Sequence, residues 1–215
     1  GQYIDFLLAD GQRRSYSMAT APQDIDPAQP RVDLHVRHMP GGKFTDHVFD
    51  GMKEKEILRI EGPFGSFHLR EEDGQGPLIF LASGTGFAPI KAMLEHMAHT
   101  GSQRHAVLYW GARRPADVYM HDWITDYCAR HPQVRYVPVI SDALPEDGWT
   151  GLSGLALDVM LQENPDMRDA QLYACGAPAM VDAAKERAIA SHQLDPDNFF
   201  ADAFTSLKDK ADPQA

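Results

Sequence analysis

The residues whose spacing carries the most chemistry are Ser83-Gly84-Thr85-Gly86-Phe87-Ala88-Pro89-Ile90. They follow a continuous apolar run, Leu78 to Ala82, and open a stretch with helical spacing. A strand-to-helix turn of this kind presents free backbone N–H groups at the positive end of the helix dipole, so it can hold a pyrophosphate. Gly84 and Gly86 let the backbone approach phosphates, and Pro89 suits the first helical turn, where its missing N–H costs nothing. The pattern is G-x-G-x-x-P, without the third glycine of the usual dinucleotide fingerprint, and a Gly-rich turn with no ligand stays open as an alternative. Tyr173-Ala174-Cys175-Gly176-Ala177-Pro178-Ala179-Met180 repeats the order strand, Gly, Pro, helix. Ligands bind at the carboxyl ends of strands in open parallel sheets. Cys175 and Gly176 could therefore floor a site for a flat ring, although an inert buried thiol is the plainer reading of a lone Cys.

A third candidate is Arg14-Ser15-Tyr16-Ser17. Arg can clamp a phosphate, Tyr can lie against an aromatic ring, and Ser can hydrogen-bond a ring nitrogen. A merely polar strand is the alternative. No metal site is expected. His96 and His99 lie three apart on a predicted helix, with no Cys or carboxylate partner at ligand spacing. Nor is there a nucleophile elbow or a Ser/His/Asp order.

The elements that must position these residues change character near Asp73-Gly74-Gln75-Gly76-Pro77. Upstream, the pattern predicts strands at Tyr3–Leu8, Arg14–Met18, Val32–Val36 and Ile57–Ile60, with Asp10-Gly11 as a hairpin signal and a short helix at Thr45–Met52. Short strands with Gly/Pro punctuation suggest a small antiparallel barrel. Downstream, strands at 78–82, 106–110, 134–140 and 172–175 alternate with helices at 88–99, 121–129, 155–162 and 179–191. That alternation predicts a parallel sheet covered on both faces. The expected domains are a barrel over 1–74, an α/β domain over 75–207 and a polar tail over 208–215.

Composition narrows the function. The 215 residues are 43% hydrophobic and 24% charged, an ordinary globular profile that excludes coiled-coil, collagen-like and disordered chains. A formal net charge of -11 argues against a nucleic-acid surface, and no apolar run approaches the roughly 20 residues of a spanning helix. Two cysteines, Cys128 and Cys175, cannot build a disulfide framework or a four-thiolate site, which fits a reducing, cytoplasmic setting.

The order of motifs is specific. Arg14–Ser17 is followed by Gly41-Gly42-Lys43-Phe44-Thr45, Gly62-Pro63-Phe64-Gly65, the Gly84–Pro89 loop, Tyr109-Trp110-Gly111-Ala112-Arg113, Cys175-Gly176-Ala177-Pro178 and Phe199-Phe200-Ala201-Asp202-Ala203-Phe204. This series resembles the ferredoxin-NADP reductase superfamily. More narrowly, it is similar to NADH-dependent reductase components that serve iron-sulfur oxygenases and deoxysugar dehydratases, and its C-terminal motif to the CDP-6-deoxy-glucoseen reductase group. The resemblance implies an FAD-binding barrel ahead of an NAD(P)-binding α/β domain. It implies hydride transfer from NADH to FAD, then single electrons to a [2Fe-2S] ferredoxin domain or protein and on to an oxygenase or dehydratase.

Roles follow at matching positions. Arg14 would contact the flavin pyrophosphate, Tyr16 would stack on the isoalloxazine and Ser17 would approach N5. His35, Val36 and Arg37 would line the flavin, and Gly42, Lys43 and Thr45 would bind its phosphates. Gly84, Thr85 and Gly86 would sit under the nicotinamide dinucleotide. Cys175, with Gly176, would flank the nicotinamide, and Phe204 would cover the flavin until nicotinamide displaces it. Tyr16, Ser17 and Cys175 would stand at the reacting rings, tuning and positioning them; the chemistry belongs to the cofactors. Relatives that use NADPH place Ser then Arg after the third sheet strand. Here Ser141-Asp142 stands there. An acidic residue repels a 2'-phosphate and favours NADH, while Arg113-Arg114 on the neighbouring strand leaves NADPH as the lesser alternative.

Only about 75 residues precede the change of character, where such barrels run to about 100, and the chain opens in mid-strand. The first barrel strands and an iron-sulfur domain are expected upstream of Gly1 or, for the latter, in a separate protein, and flavin retention by this chain is expected to be poor. Two other readings keep the same motifs: the reductase half of a flavohaemoglobin-like dioxygenase, and a non-catalytic electron-transfer or nucleotide-sensing subunit.

Overall fold

A computed structural model describes residues 1–71 and 76–204. The predicted boundary stretch at Asp73–Gln75 and the tail over 208–215 lie outside the described residues. The chain divides into two compact units: Gly1–Leu69 with Ala88–His99, and Arg70–Phe87 with the residues from Thr100 onward.

The first unit holds a three-stranded antiparallel sheet. Its strands are β1 (Tyr3–Leu7), β2 (Arg13–Ser17) and β3 (Ile60–Phe64), in the order β2-β1-β3. β1 and β2 pair in regular register from Tyr3 opposite Ser17 to Leu7 opposite Arg13. Alternation then fixes the faces. Ile4 and Phe6, with Tyr16 and Met18 across the pair, turn toward a small core closed by Phe44, Leu34 and Leu58. Helix α1 (Lys43–Asp46) supplies Phe44, whose ring stacks on Phe6 at 4.6 Å.

Three local expectations are corrected here. Val32–Val36 forms no strand: a single bridge joins Met18 to Leu34. The next rung is lost because the Asp33 N–H donates to the Thr20 hydroxyl at 2.7 Å, a side-chain competitor for the ladder. The fourth strand is displaced from Ile57–Ile60 to Ile60–Phe64, and its register against β1 shifts between Tyr3 and Asp5, near Pro63, which has no N–H to give. The helix expected at Thr45–Met52 begins earlier, at Lys43, and passes into a π-turn over His47–Gly51, closed by the Met52 N–H on the His47 carbonyl at 2.6 Å.

The second unit is built on a six-stranded parallel sheet. Its strands are β4 (Leu78–Ser83), β5 (Ala106–Ala112), β6 (Val134–Ile140), β7 (Leu152–Ser153), β8 (Gln171–Gly176) and β9 (Phe199–Ala203). The order is β7-β6-β5-β4-β8-β9. Helices α2 (Phe87–Thr100), α3 (His121–Arg130), α4 (Ala156–Glu163) and α5 (Pro178–His192) connect them. Every residue of β8 is buried, and all of β4 but Ser83, as expected for central parallel strands. One core joins Leu81, Tyr109, Val139 and Leu172 of the sheet to Leu157 and Met160 of α4 and to Val181 and Ala184 of α5. β7 and β9 go beyond the sequence expectation. β7 has only two residues, and β9 has the half-buried alternation of an edge strand. No helix among the described residues is long and apolar enough to cross a membrane.

Candidate functional site

In the second unit the carboxyl ends of two neighbouring strands, β4 and β8, carry the two glycine motifs. Gly84–Gly86 is a single 3-10 turn that leads directly into α2. Gly84 stands at φ +51°, and an added Cβ there would meet nothing within 4 Å. Its backbone is therefore open to a ligand. Gly86 is the reverse: a Cβ would lie 2.1 Å from the Cys175 carbonyl oxygen. Gly176, at φ +132°, would press a Cβ to 2.3 Å from Ser83 Oγ. The two motifs meet where only glycine fits, which brings Gly84, Thr85, Gly86, Cys175 and Gly176 together. An open, N–H-bearing turn at the start of a 14-residue helix fits a dinucleotide phosphate group.

Cys175 is fully buried. Burial, and then the nearby Asp202 carboxylate, push its thiol well above the ordinary range. It is a neutral thiol, suited to packing and weak hydrogen bonding rather than to attack. Phe204 follows β9, and its N–H donates to the Gly176 carbonyl at 2.8 Å, so it joins the same strand ends. Tyr119, beside Cys175, has its phenol raised by burial and by that thiol.

At the ends of β5 and β6, Arg113 and Asp142 form an exposed ion pair, Nη2 to Oδ2 at 3.1 Å. Arg114 is held by Asp147, Nε to Oδ2 at 3.0 Å and Nη2 to Oδ1 at 3.0 Å. Each of these two arginines is thus paired with a carboxylate from the segment after β6.

In the first unit, Arg14 and Tyr16 lie on the core-facing side of β2, while Ser17 points to the opposite face, buried and paired with Tyr3. The Tyr16 ring lies 5.3 Å from that of Phe44 and 5.9 Å from that of Phe6, and burial raises its phenol. The structure thereby joins Tyr16 to the α1 start, where Gly42, Lys43 and Thr45 stand. Thr45 Oγ1 accepts from the Met39 N–H at 3.2 Å and lies 2.9 Å from the Met39 carbonyl, tying the turn ahead of α1. Lys43 Nζ reaches Asp10 at 2.6 Å, and Arg14 donates to Gln12 and to the Arg13 carbonyl. Gly41, at φ +80°, has open space where its Cβ would be. The exposed Lys43 ammonium and the Arg14 guanidinium are donors suited to a phosphorylated flavin, whereas the turn's own N–H groups are engaged, Gly41 by Asp46 Oδ2 at 3.0 Å and Gly42 by the Met39 carbonyl at 2.8 Å.

The Met18–Leu34 bridge sets His35 in the chain next to Leu34, with Val36 half-buried and Arg37 exposed beyond it. Burial, then the Lys91 ammonium, lower the His35 imidazole to about 4. His38, Asp46 and Asp50 bring one ligand atom each within 4.8 Å of one another, a grouping that sequence spacing did not suggest. His38 Nε2 and Asp46 Oδ1 are 2.8 Å apart in it.

Three residues beside the site stand inside the sequence motifs, which gave them no role. Trp110 donates from Nε1 to the Gly84 carbonyl at 3.1 Å, and Ser83 Oγ accepts from the Ala177 N–H at 2.9 Å. Asp202 stands in register opposite Cys175, a pairing invisible until β9 is recognised as a strand.

Comparison with known proteins agrees with this division. Residues 1–69 match the oxidoreductase FAD-binding domain, and residues 80–186 the oxidoreductase NAD-binding domain. The chain is 41% identical over 208 residues to the CDP-6-deoxy-L-threo-D-glycero-4-hexulose-3-dehydrase reductase of Yersinia pestis, covering 97% of this chain and 60% of that protein. It is 38% identical over 208 residues to terephthalate 1,2-dioxygenase reductase component 1 of a Comamonas species, covering 96% and 59%. Among solved structures, an Amycolatopsis cytochrome P450 reductase superposes with a TM-score of 0.85 at 32% identity, covering 96% of this chain and 61% of that one. The chain spans about three-fifths of the length of these relatives.

Proposed function

Since this chain belongs to the ferredoxin-NADP reductase superfamily of FAD- and NAD-binding oxidoreductases, we propose that it is the reductase module of an electron-transfer system, oxidising NADH and delivering single electrons to a [2Fe-2S] centre. The observation that carries this reading is the paired strand-end motif: the open Gly84 turn locked onto Cys175 and Gly176. When bound, the two cofactors supply the redox chemistry, a hydride moving from nicotinamide to flavin. The chain's own residues bind and orient. Gly84, Thr85 and Gly86 offer backbone donors to the dinucleotide phosphates. Cys175, neutral and buried, offers a small polarizable floor. Arg14, Lys43 and Thr45 would hold the flavin phosphates, with Gly42 keeping their turn tight. Tyr16 would lie along the flavin ring. Asp142, holding Arg113, favours NADH over NADPH.

The similarity to a hexulose dehydrase reductase and a dioxygenase reductase component supports an iron-sulfur acceptor, carried by another part of the polypeptide or by a partner, and beyond it a dehydrase or an oxygenase. Thiols at both Cys128 and Cys175 suit a reducing cytoplasm. Stopped-flow mixing of the FAD-loaded protein with NADH under argon tests the reading. Rapid bleaching of the flavin band is expected, slower with NADPH. An unchanged flavin spectrum with both nucleotides would overturn it.

A further inference from the structure

The two loops at the ends of β4 and β8 are joined by contacts that no cofactor supplies. Ser83, the last residue of β4, accepts the Ala177 N–H on Oγ at 2.9 Å. Trp110, fully buried and stacked on Phe87 at 4.1 Å and 17°, donates its indole N–H to the Gly84 carbonyl at 3.1 Å. Across a planar trans peptide the C=O and the following N–H point in opposite directions. A Gly84 carbonyl held by Trp110 therefore turns the Thr85 N–H away from the indole, and that N–H is among the unsatisfied donors that precede a helix. Gly86 abuts the Cys175 carbonyl and Gly176 abuts Ser83, so neither loop can shift without the other.

We propose that Ser83 and Trp110 are positioning residues that make the Gly84–Gly86 turn and the Cys175–Ala177 segment one rigid cradle. A dinucleotide held through its phosphates by the first is then held in fixed register against the second. This deepens, and rests on, the assignment of the site to a nicotinamide dinucleotide. Neither side chain needs to touch the reacting atoms. Ser83 acts through Ala177, and Trp110 through Gly84 and Thr85.

The test combines NAD+ titration calorimetry with amide hydrogen exchange on the FAD-loaded protein, comparing Ser83→Ala, Trp110→Phe and the double variant. Trp110→Phe keeps a ring to stack on Phe87 and removes the donor together with part of the indole's volume. Each single variant is expected to weaken NAD+ binding about threefold to tenfold, the size of one lost hydrogen bond. The double variant is expected to weaken it by less than the product of the two, because the residues act as a unit. Without ligand, Ser83→Ala is expected to speed exchange at Phe87, whose N–H donates to the Thr85 carbonyl, as well as at Ala177. With NADH, KM should rise more than kcat falls. Wild-type affinity in both single variants, independent multiplication in the double, or unchanged Phe87 exchange in Ser83→Ala would overturn the proposal. Should Trp110→Phe fail to fold, Ser83→Ala alone carries the exchange test. Absence of NAD+ binding by the unaltered protein would instead defeat the nucleotide assignment, while exchange at Phe87 still decides the coupling.

Discussion

Arg113 and Asp142 are bound to each other twice. Their side chains meet at 3.1 Å, and the Asp142 N–H donates to the Arg113 carbonyl at 2.9 Å, so the pair continues the β5–β6 ladder past its last rung. If this end of the sheet holds the ribose, as proposed, Asp142 would set a carboxylate against a 2'-phosphate and keep the Arg113 guanidinium engaged. Asp142→Asn is expected to raise kcat/KM for NADPH relative to NADH by about fivefold, the worth of one exposed charge pair near 1 kcal/mol. Adding Arg113→Ala should erase the gain. Steady-state kinetics with both nucleotides would measure it, and an unchanged ratio in Asp142→Asn would show that the pair does not govern selectivity.

The two glycines of the first loop should fail in different ways when replaced. Gly86→Ala drives a methyl into the Cys175 carbonyl and is expected to cost stability, about 1–3 kcal/mol, seen as a melting point lower by several degrees. Gly84→Ala meets no neighbour and bears only the left-handed backbone, about 1 kcal/mol. Its methyl, however, stands on the open side of the turn, so NADH affinity should fall more than stability does. Melting curves beside NADH titrations would separate the two, and identical behaviour would refute the distinction.

His35 contributes a defined pH dependence. Its folded value of about 4 lies below the ordinary 6.5 because burial and Lys91 disfavour the charged imidazole. Between those values the unfolded chain binds more protons than the native one, so stability rises with pH across that window. The stabilisation is complete above about 6.5 and is lost as the pH falls toward 4. His35→Gln should flatten the difference in urea midpoint between pH 5 and pH 7. An undiminished difference would assign the slope to other groups.

Cys175 is expected to resist alkylation. With no exposed surface and its thiol held well above the usual range, it presents almost no thiolate at pH 8. Iodoacetamide followed by peptide mass spectrometry should leave it unmodified in the native protein and modify it fully in urea. Native labelling at a rate comparable to a free thiol would contradict the buried assignment.

Much of the fold was legible because the central strands are unbroken apolar runs and their helices keep a clear period. Leu78–Ala82 and Leu172–Cys175 admit few other readings. The edges were harder. Leu152–Ser153 is too short to leave a pattern. Phe199–Ala203 mixes Asp202 into an aromatic stretch, so its register opposite Cys175 depends on the tertiary partner. Leu34 alternates as a strand residue should, yet Thr20 takes the N–H that a second rung would need. The glycines at 84, 86 and 176 could be marked from sequence, but not that one is open and two are wedged, since that depends on how β4 and β8 lie side by side. The Trp110 indole was hidden for a related reason: in an apolar strand, an aromatic ring looks like core until its N–H is followed to the Gly84 carbonyl.

Helix α2 has a consequence for any attempt to transplant these parts. Its residues Ala88–His99 group with the unit formed by Gly1–Leu69, where Lys91 reaches the Ala19 carbonyl at 3.4 Å and His96 meets Gln23 at 3.2 Å. A single cut after Leu69 would leave that helix on the wrong fragment. Chimaeras that exchange one half of the molecule for a homologous half would need side chains equivalent to Lys91 and His96 on the incoming helix and to Gln23 opposite it, or would have to carry α2 along as a third junction-bounded piece.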